Sequence, residues 1–197
     1  MDRRGQAHTL EAFTAALIVL AGLVFALQAT AVTPLSASTS NQHIENQEQA
    51  MAADVLATTD ANGSLREAVL YWNTTSNQFN GSGERGSYSN GGPPNDFGNA
   101  LDRTFADERI AYNVYVRHWR ASNTSGQQAM VYMGTPSDNA VSASRTVVIY
   151  DDSQLSVPGE TENVSTAAAT GDFYARDAAP NGTVFNVVEV QIVVWRM

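Results

Sequence analysis

Apolar positions follow three patterns along the chain. From Ala12 to Val32 they run nearly unbroken and without a charge, directly after Glu11. At ~1.5 Å of rise per residue, the strictly apolar run Ala12 to Leu27 reaches ~24 Å. Continuing through Gln28 and Thr30 to Val32 gives ~31 Å, close to the ~30 Å hydrocarbon core of a bilayer. The pattern predicts a transmembrane helix over residues 12–32, in contact with membrane lipid. Arg3 and Arg4 are the only arginines before Arg66. The positive-inside bias therefore keeps the N-terminus cytoplasmic and sends the chain after Pro34 outward.

The second pattern is helical. Between about Asn41 and Thr59, Ile44, Met51 and Val55 recur at spacings of seven and four, one face of a polar helix read as a stalk. Pro34 is tolerable as a kink or restart. Asn62-Gly63 breaks the stalk, and Ser64 is a candidate cap for a second helical set with Leu65, Val69 and Trp72 aligned. Ser76 to Pro94 is dominated by Gly, Ser, Asn and Pro and predicts a mobile surface loop, too polar for the core. Phe97, Leu101 and Phe105, four apart, predict a short helix.

The third pattern is alternation. In Ile110 to Arg120, Ile110, Tyr112, Val114 and Val116 alternate with Ala111, Asn113, Tyr115 and Arg117, predicting a half-buried strand. Gln128 to Met133 and Val141 to Tyr150 flank a turn-rich segment from Gly134 to Asn139, predicting an antiparallel hairpin between them. Val184 to Trp195 places Val188, Val190, Ile192 and Val194 on one face. Asp151 to Pro180 reads as a long polar connection. The expected class is α+β, a long N-terminal transmembrane and stalk helix followed by a small antiparallel head. Its parts are a leader and cytoplasmic N-terminus over 1–11, the membrane helix over 12–32, the stalk over 33–60 and the extracellular head over 61–197.

Composition narrows the function. The net charge is -9 and all 11 basic residues are arginine, with no lysine. Such a surface repels phosphate, so nucleic acid is not an expected partner. At molar salt the screening length falls to ~3 Å and the self-repulsion of an acidic domain largely disappears, so the balance looks like that of proteins from salt-adapted archaea. Without cysteine there is no disulfide framework and no thiolate chemistry, and the head must be held by core burial.

At Arg4-Gly5-Gln6-Ala7-His8-Thr9-Leu10-Glu11, followed by the apolar segment, the chain resembles archaeal type IV pilin-like and pseudopilin-like membrane proteins. Gln6 to Gln47 (QAHTLEAF through TAVTPLSASTSNQHIENQ) is more specifically similar to an uncharacterised haloarchaeal family of such proteins. The resemblance implies leader processing at Arg4, Gly5 and Gln6, and a role for Glu11 in subunit assembly. The carboxylate of one subunit would neutralise the new α-amino group of its neighbour. Cleavage after Gly5 makes Glu11 the sixth residue, and cleavage after Gln6 makes it the fifth, the usual family position. The implied partners are like or related pilin subunits, a prepilin peptidase, and an assembly ATPase with its membrane platform. A structural subunit without catalytic activity or cofactor is expected.

Two other readings compete. Glu11 also suits the cytoplasmic border of an uncleaved anchor whose head binds a ligand and never polymerises. Ala29-Thr30-Ala31 suits secretory cleavage after Ala31, which would release the head. Six N-x-S/T sequons, at Asn62, Asn73, Asn80, Asn123, Asn163 and Asn181, are candidates for N-glycosylation in an exported head. His8, His43 and His118 share no ligand spacing, and the acidic residues Asp151, Asp152, Glu160 and Glu162 do not follow a calcium-loop pattern, so no metal site is expected. No phosphate loop or nucleophile elbow occurs.

Overall fold

The computed structural model describes the backbone of residues 3–106, 108–120 and 124–196, and the side chains within these ranges except at 3–7 and 29–41. The elements in chain order are α1 (Arg3–Ala61), α2 (Ser64–Val69), β1 (Trp72–Asn73), β2 (Gln78–Phe79), α3 (Asp96–Phe105), β3 (Ile110–Arg120), β4 (Thr124–Tyr132), β5 (Val141–Tyr150), α4 (Val164–Thr170) and β6 (Val184–Arg196). The class is α+β, with an N-terminal apolar helix and antiparallel sheets. Two compact units divide the chain, residues 1–44 and 45–197.

In the second unit, four antiparallel strands form one sheet in the order β4-β3-β6-β5. The expected alternation holds on the inner face. Ile110, Tyr112, Val114 and Val116 of β3 and Val188, Val190, Ile192 and Val194 of β6 are all buried. They belong to one core cluster with Leu65, Ala68 and Val69 of α2, Phe97, Leu101 and Phe105 of α3, and Ala52, Val55 and Leu56 of α1. The four-residue apolar spacing of α3 is thus realised as one buried stripe, and Asn95 caps it by accepting from the Gly98 N–H at 3.2 Å.

Several expectations fail, each for an identifiable reason. β4 and β5 form no hairpin with each other. They are the two opposite edges of the sheet, β4 paired to β3 and β5 paired to β6. The link between them crosses the ends of β3 and β6. At roughly 4.8 Å per strand spacing that is a span of about 14 Å, well within reach of a segment of this length. Buried Asn113 pins the start of the link: its Oδ1 accepts from the Met133 N–H and its Nδ2 donates to the Gly134 carbonyl, both at 2.8 Å.

Ser76 to Pro94 is not a free surface loop. Phe79 and Tyr88 are buried within it, and Tyr88 exchanges backbone hydrogen bonds with Met130 and Tyr132 on β4. Two aromatic anchors are enough to dock an otherwise polar segment. Asp151 to Pro180 likewise contains α4 and buries Leu155, Val164, Ala167, Phe173 and Ala175. The cap before α2 is Gly63, at φ 85°, a left-handed conformation that glycine adopts without strain. Ser64 is already helical, its N–H and hydroxyl both donating to Asn62 Oδ1. Trp72 falls beyond that helix, in β1.

The polar helical stretch read as a stalk belongs to α1, and from Glu45 onward it is part of the second unit. Its buried positions are Glu48, Ala52, Val55, Leu56 and Thr59; of the expected face, Val55 is buried and Met51 packs partly buried against the core, with the buried stripe centred to one side of them. Glu48 survives burial because its Oε1 accepts from Arg196 Nε at 2.7 Å.

Candidate functional site

The first candidate site is the N-terminal part of α1. From His8 to Gln28 mean hydropathy is 2.3, and none of the stretch is buried. Leu10, Phe13, Ile18, Val19, Leu23 and Phe25 are all exposed, Ile18 at 73 %. Apolar residues occupy the whole circumference, so no single stripe marks a docking face in the chain's own core. The Thr14 hydroxyl is satisfied internally, Oγ1 donating to the Leu10 and Glu11 carbonyls. By length and composition this helix suits a membrane anchor or a signal sequence.

Glu11 sits inside the N-terminal border of this stretch, with His8 Nδ1 3.7 Å from its Oε2 and both side chains largely exposed. Arg4, Gly5 and Gln6 are helical in backbone, and their side chains lie outside the described residues. The sequons do not gather into one site. Asn62 and Asn181 are exposed, and Asn73, Asn80 and Asn163 are half-buried. Asn123 lies outside the described residues. Asn73 and Asn80 are brought together, Nδ2 of the first donating to Oδ1 of the second at 3.3 Å. Asn163 caps α4, its Oδ1 accepting from the Thr166 N–H and hydroxyl. Among the described residues, no three His, Asp or Glu converge on a point where a metal ion would be held.

The sequence reading missed a second candidate, a cleft of about 1030 Å³ in the head. Its walls are the end of β3, with His118 and Arg120, the last turn of α4, and residues 171–177 including Phe173, Tyr174, Arg176 and Asp177. The walls are fixed by buried groups. Asn186 takes the Trp119 N–H on Oδ1 and donates from Nδ2 to the carbonyls of Trp119 and Arg176, tying the two sides together. Behind them, Trp72 Nε1 donates to the Asp172 carbonyl at 2.8 Å, and the Tyr174 hydroxyl donates to the Val69 carbonyl at 3.1 Å. Burial pushes the Tyr174 phenol well above its ordinary pKa, so it remains a donor.

His118 occupies the inner face of β3 beyond Val116, 5 % exposed, and its Nδ1 has no hydrogen-bond partner. Burial lowers its pKa below the ordinary 6.5 and the Arg120 charge acts in the same direction, against a weaker opposing contribution from the Trp119 backbone. The imidazole is therefore neutral at neutral pH. The local signal in the sequence, a histidine continuing the apolar alternation of a strand, is as compatible with a satisfied core residue as with a site.

No curated protein and no solved structure matches the chain. A family model does match, over residues 4–194, a span that takes in both the apolar helix and the head. The chain belongs to that family, a family of unknown function designated DUF7288.

Proposed function

We propose that the chain is a pilin-like structural subunit of an archaeal surface filament or a related secretion-type assembly. In this reading the apolar helix inserts in the cell membrane with the N-terminus cytoplasmic, and the α+β head is pilin-like and extracellular. One observation carries the reading: an apolar stretch from His8 to Gln28 with no burial in its own chain holds a carboxylate, Glu11, just inside its border. The apolar side chains require lipid or neighbouring helices to leave water. A carboxylate costs on the order of 2.5 to 3.5 kcal/mol at the middle of a membrane helix, so it is retained where a partner or interfacial water compensates it. Cleavage near Gly5 or Gln6 by a prepilin peptidase supplies such a partner, the α-amino group of an adjacent subunit. An assembly ATPase and its membrane platform would then draw subunits from the bilayer into a helix-cored fibre. The acidic, lysine-free composition suits a head exposed to molar salt.

A second reading, a permanent anchor with a ligand-binding head, is favoured by the proximity of His8 to Glu11, which gives the carboxylate a partner within its own chain. Mass spectrometry of the mature N-terminus separates the readings. A start at Gln6 or Ala7 is the expected result; Met1 or Asp2 indicates the anchor, and Val32 indicates secretion after Ala31. An intact leader in the surface-exposed pool would sink the filament proposal.

A further inference from the structure

The head's cleft combines features that a merely structural hollow does not need. The chain has 20 Asp and Glu against 11 Arg, so most guanidiniums have carboxylates to pair with. Arg117, Arg145 and Arg196 do so. Arg120 and Arg176 are distinguished by lining one cleft together; like Arg66, Arg85, Arg103 and Arg109, they have no ion-pair partner among the described residues. Asp177, the one carboxylate on the same wall, turns its Oδ1 to the Ala179 N–H at 2.7 Å.

Two further observations are independent of these charges. His118 is buried with an unpartnered Nδ1 and forms part of the cleft lining. Room for the ring is also built in: a Cβ on Gly126, across from it on β4, would fall inside contact distance of His118 Nε2 and only 2.8 Å from Arg120 Nε. Glycine there lets both side chains stand where they do.

We propose that this cleft binds a small hydroxylated organic monoanion of the sugar-acid class, its carboxylate held by Arg120 and Arg176 beside the wall that His118 forms. The charge count selects the ligand. Two guanidiniums against one carboxylate, with a neutral imidazole, leave an excess of one positive charge, matching a carboxylate better than a doubly charged phosphate. The lining selects the rest. Ser165 and Thr170, whose hydroxyls donate to the Asp151 and Ala167 carbonyls, and Asp177, whose Oδ1 accepts from the Ala179 N–H, retain lone pairs that can accept from ligand hydroxyl groups, and a volume at the top of the roughly 300–1,000 Å³ range of small-molecule sites exceeds what a bare carboxylate would fill. The inference does not depend on how the N-terminus is processed.

The test uses the full chain in detergent, with the His118 ring resonances assigned through His118→Gln and followed by NMR during titration with glucuronate, glucose, acetate or inorganic phosphate. Glucuronate is expected to shift His118 saturably, at concentrations at least tenfold below those needed for the other three. Arg120→Gln and Arg176→Gln, both at exposed positions, are each expected to weaken glucuronate binding tenfold or more while leaving thermal unfolding unchanged. Absence of a glucuronate shift overturns the site. An equal response to glucose overturns the carboxylate, an equal response to acetate overturns the hydroxylated class, and tighter binding of phosphate overturns the charge assignment. Full affinity in both arginine variants would remove the guanidiniums from the proposal.

Discussion

Two stretches of one helix use apolar residues in opposite ways. From His8 to Gln28 they surround the helix, and none of them is buried. From Glu48 to Thr59 the buried positions Glu48, Ala52, Val55, Leu56 and Thr59 form one stripe, and its apolar members belong to the core of the head. A striped helix is complete once its own chain covers the stripe. A helix apolar all round is complete only in a medium other than water, whether lipid or other helices. Within a single secondary-structure element, the chain thus passes from a segment that needs an external environment to a segment that brings its own.

The strongest way to break this contrast is to remove its first half. Deleting residues 1–44 leaves the compact unit of residues 45–197 with its core residues intact. The shortened protein is expected to move entirely from the membrane fraction to the aqueous fraction, with near-ultraviolet circular dichroism still reporting packed aromatics. If it remains in the membrane fraction, the head itself carries lipid-binding surface and the division is wrong.

Matched truncations sharpen the comparison further. Phe105 is fully buried, its ring 5.3 Å from that of Tyr112, and Phe105→Ala is expected to cost about 3–5 kcal/mol of head stability. At the size of this domain that corresponds to a melting temperature lower by roughly 6–20 °C. Ile18→Ala removes a comparable apolar side chain from a 73 % exposed position and should leave head unfolding within about 0.5 kcal/mol of the parent. Denaturant unfolding in detergent, followed by tryptophan fluorescence, measures both. Equal losses would mean that the apolar helix takes part in the folding unit.

What was legible in the sequence follows the range over which each signal acts. The apolar run after Glu11, the four-residue period of Phe97, Leu101 and Phe105, and the alternation in β3 and β6 are local, and each becomes the element that its spacing predicts. Strand partners are not local. Turn formers between β4 and β5 correctly mark the end of one strand and the start of another, but they do not say that the link crosses two strand ends before pairing resumes. The apolar part of the docking of Ser76 to Pro94 rests mainly on Phe79 and Tyr88, too few to change the polar average of the segment, and the rest is backbone pairing with β1 and β4. The cleft was invisible for the same reason in stronger form. His118, Gly126 and Arg176 come from three segments, and only folding brings them within reach of one another. The border of the apolar stretch at Glu11, by contrast, lies in contiguous residues.

Glu48 is a case where a hydrophobicity pattern misleads, because a charged residue occupies the inward stripe. The residue is 3 % exposed, and Arg196 at the end of β6 reaches it with Nε at 2.7 Å while remaining about half exposed itself. Glu48→Gln keeps the shape and removes the charge, and Arg196 can turn to water. The expected loss is therefore moderate, about 1–2 kcal/mol, near the lower range for a hydrogen bond to a charged group. A double-mutant cycle with Arg196→Gln should recover most of that loss as coupling energy. Additive losses would mean that Glu48 is held by its surroundings and not by the arginine.

The smallest expected effect concerns His118, where the head keeps a titratable ring in its wall. Its folded pKa lies below the ordinary 6.5, chiefly through burial and then through the Arg120 charge. In the window between the folded pKa and 6.5 the unfolded chain binds a proton that the folded chain refuses, so stability falls as the pH falls through that window. One such proton contributes a slope of at most about 1.4 kcal/mol per pH unit. Well above 6.5 the ring is neutral in both states and contributes no slope. Arg176 and Asp177 line the same cleft and are present in both proteins, so the difference between parent and His118→Gln isolates the imidazole. Urea unfolding at half-unit steps over that range should give a steeper acid-side decline for the parent than for the variant. Parallel curves would place the ring in contact with water, and with it the end of β3 that the compact half of the molecule is taken to enclose.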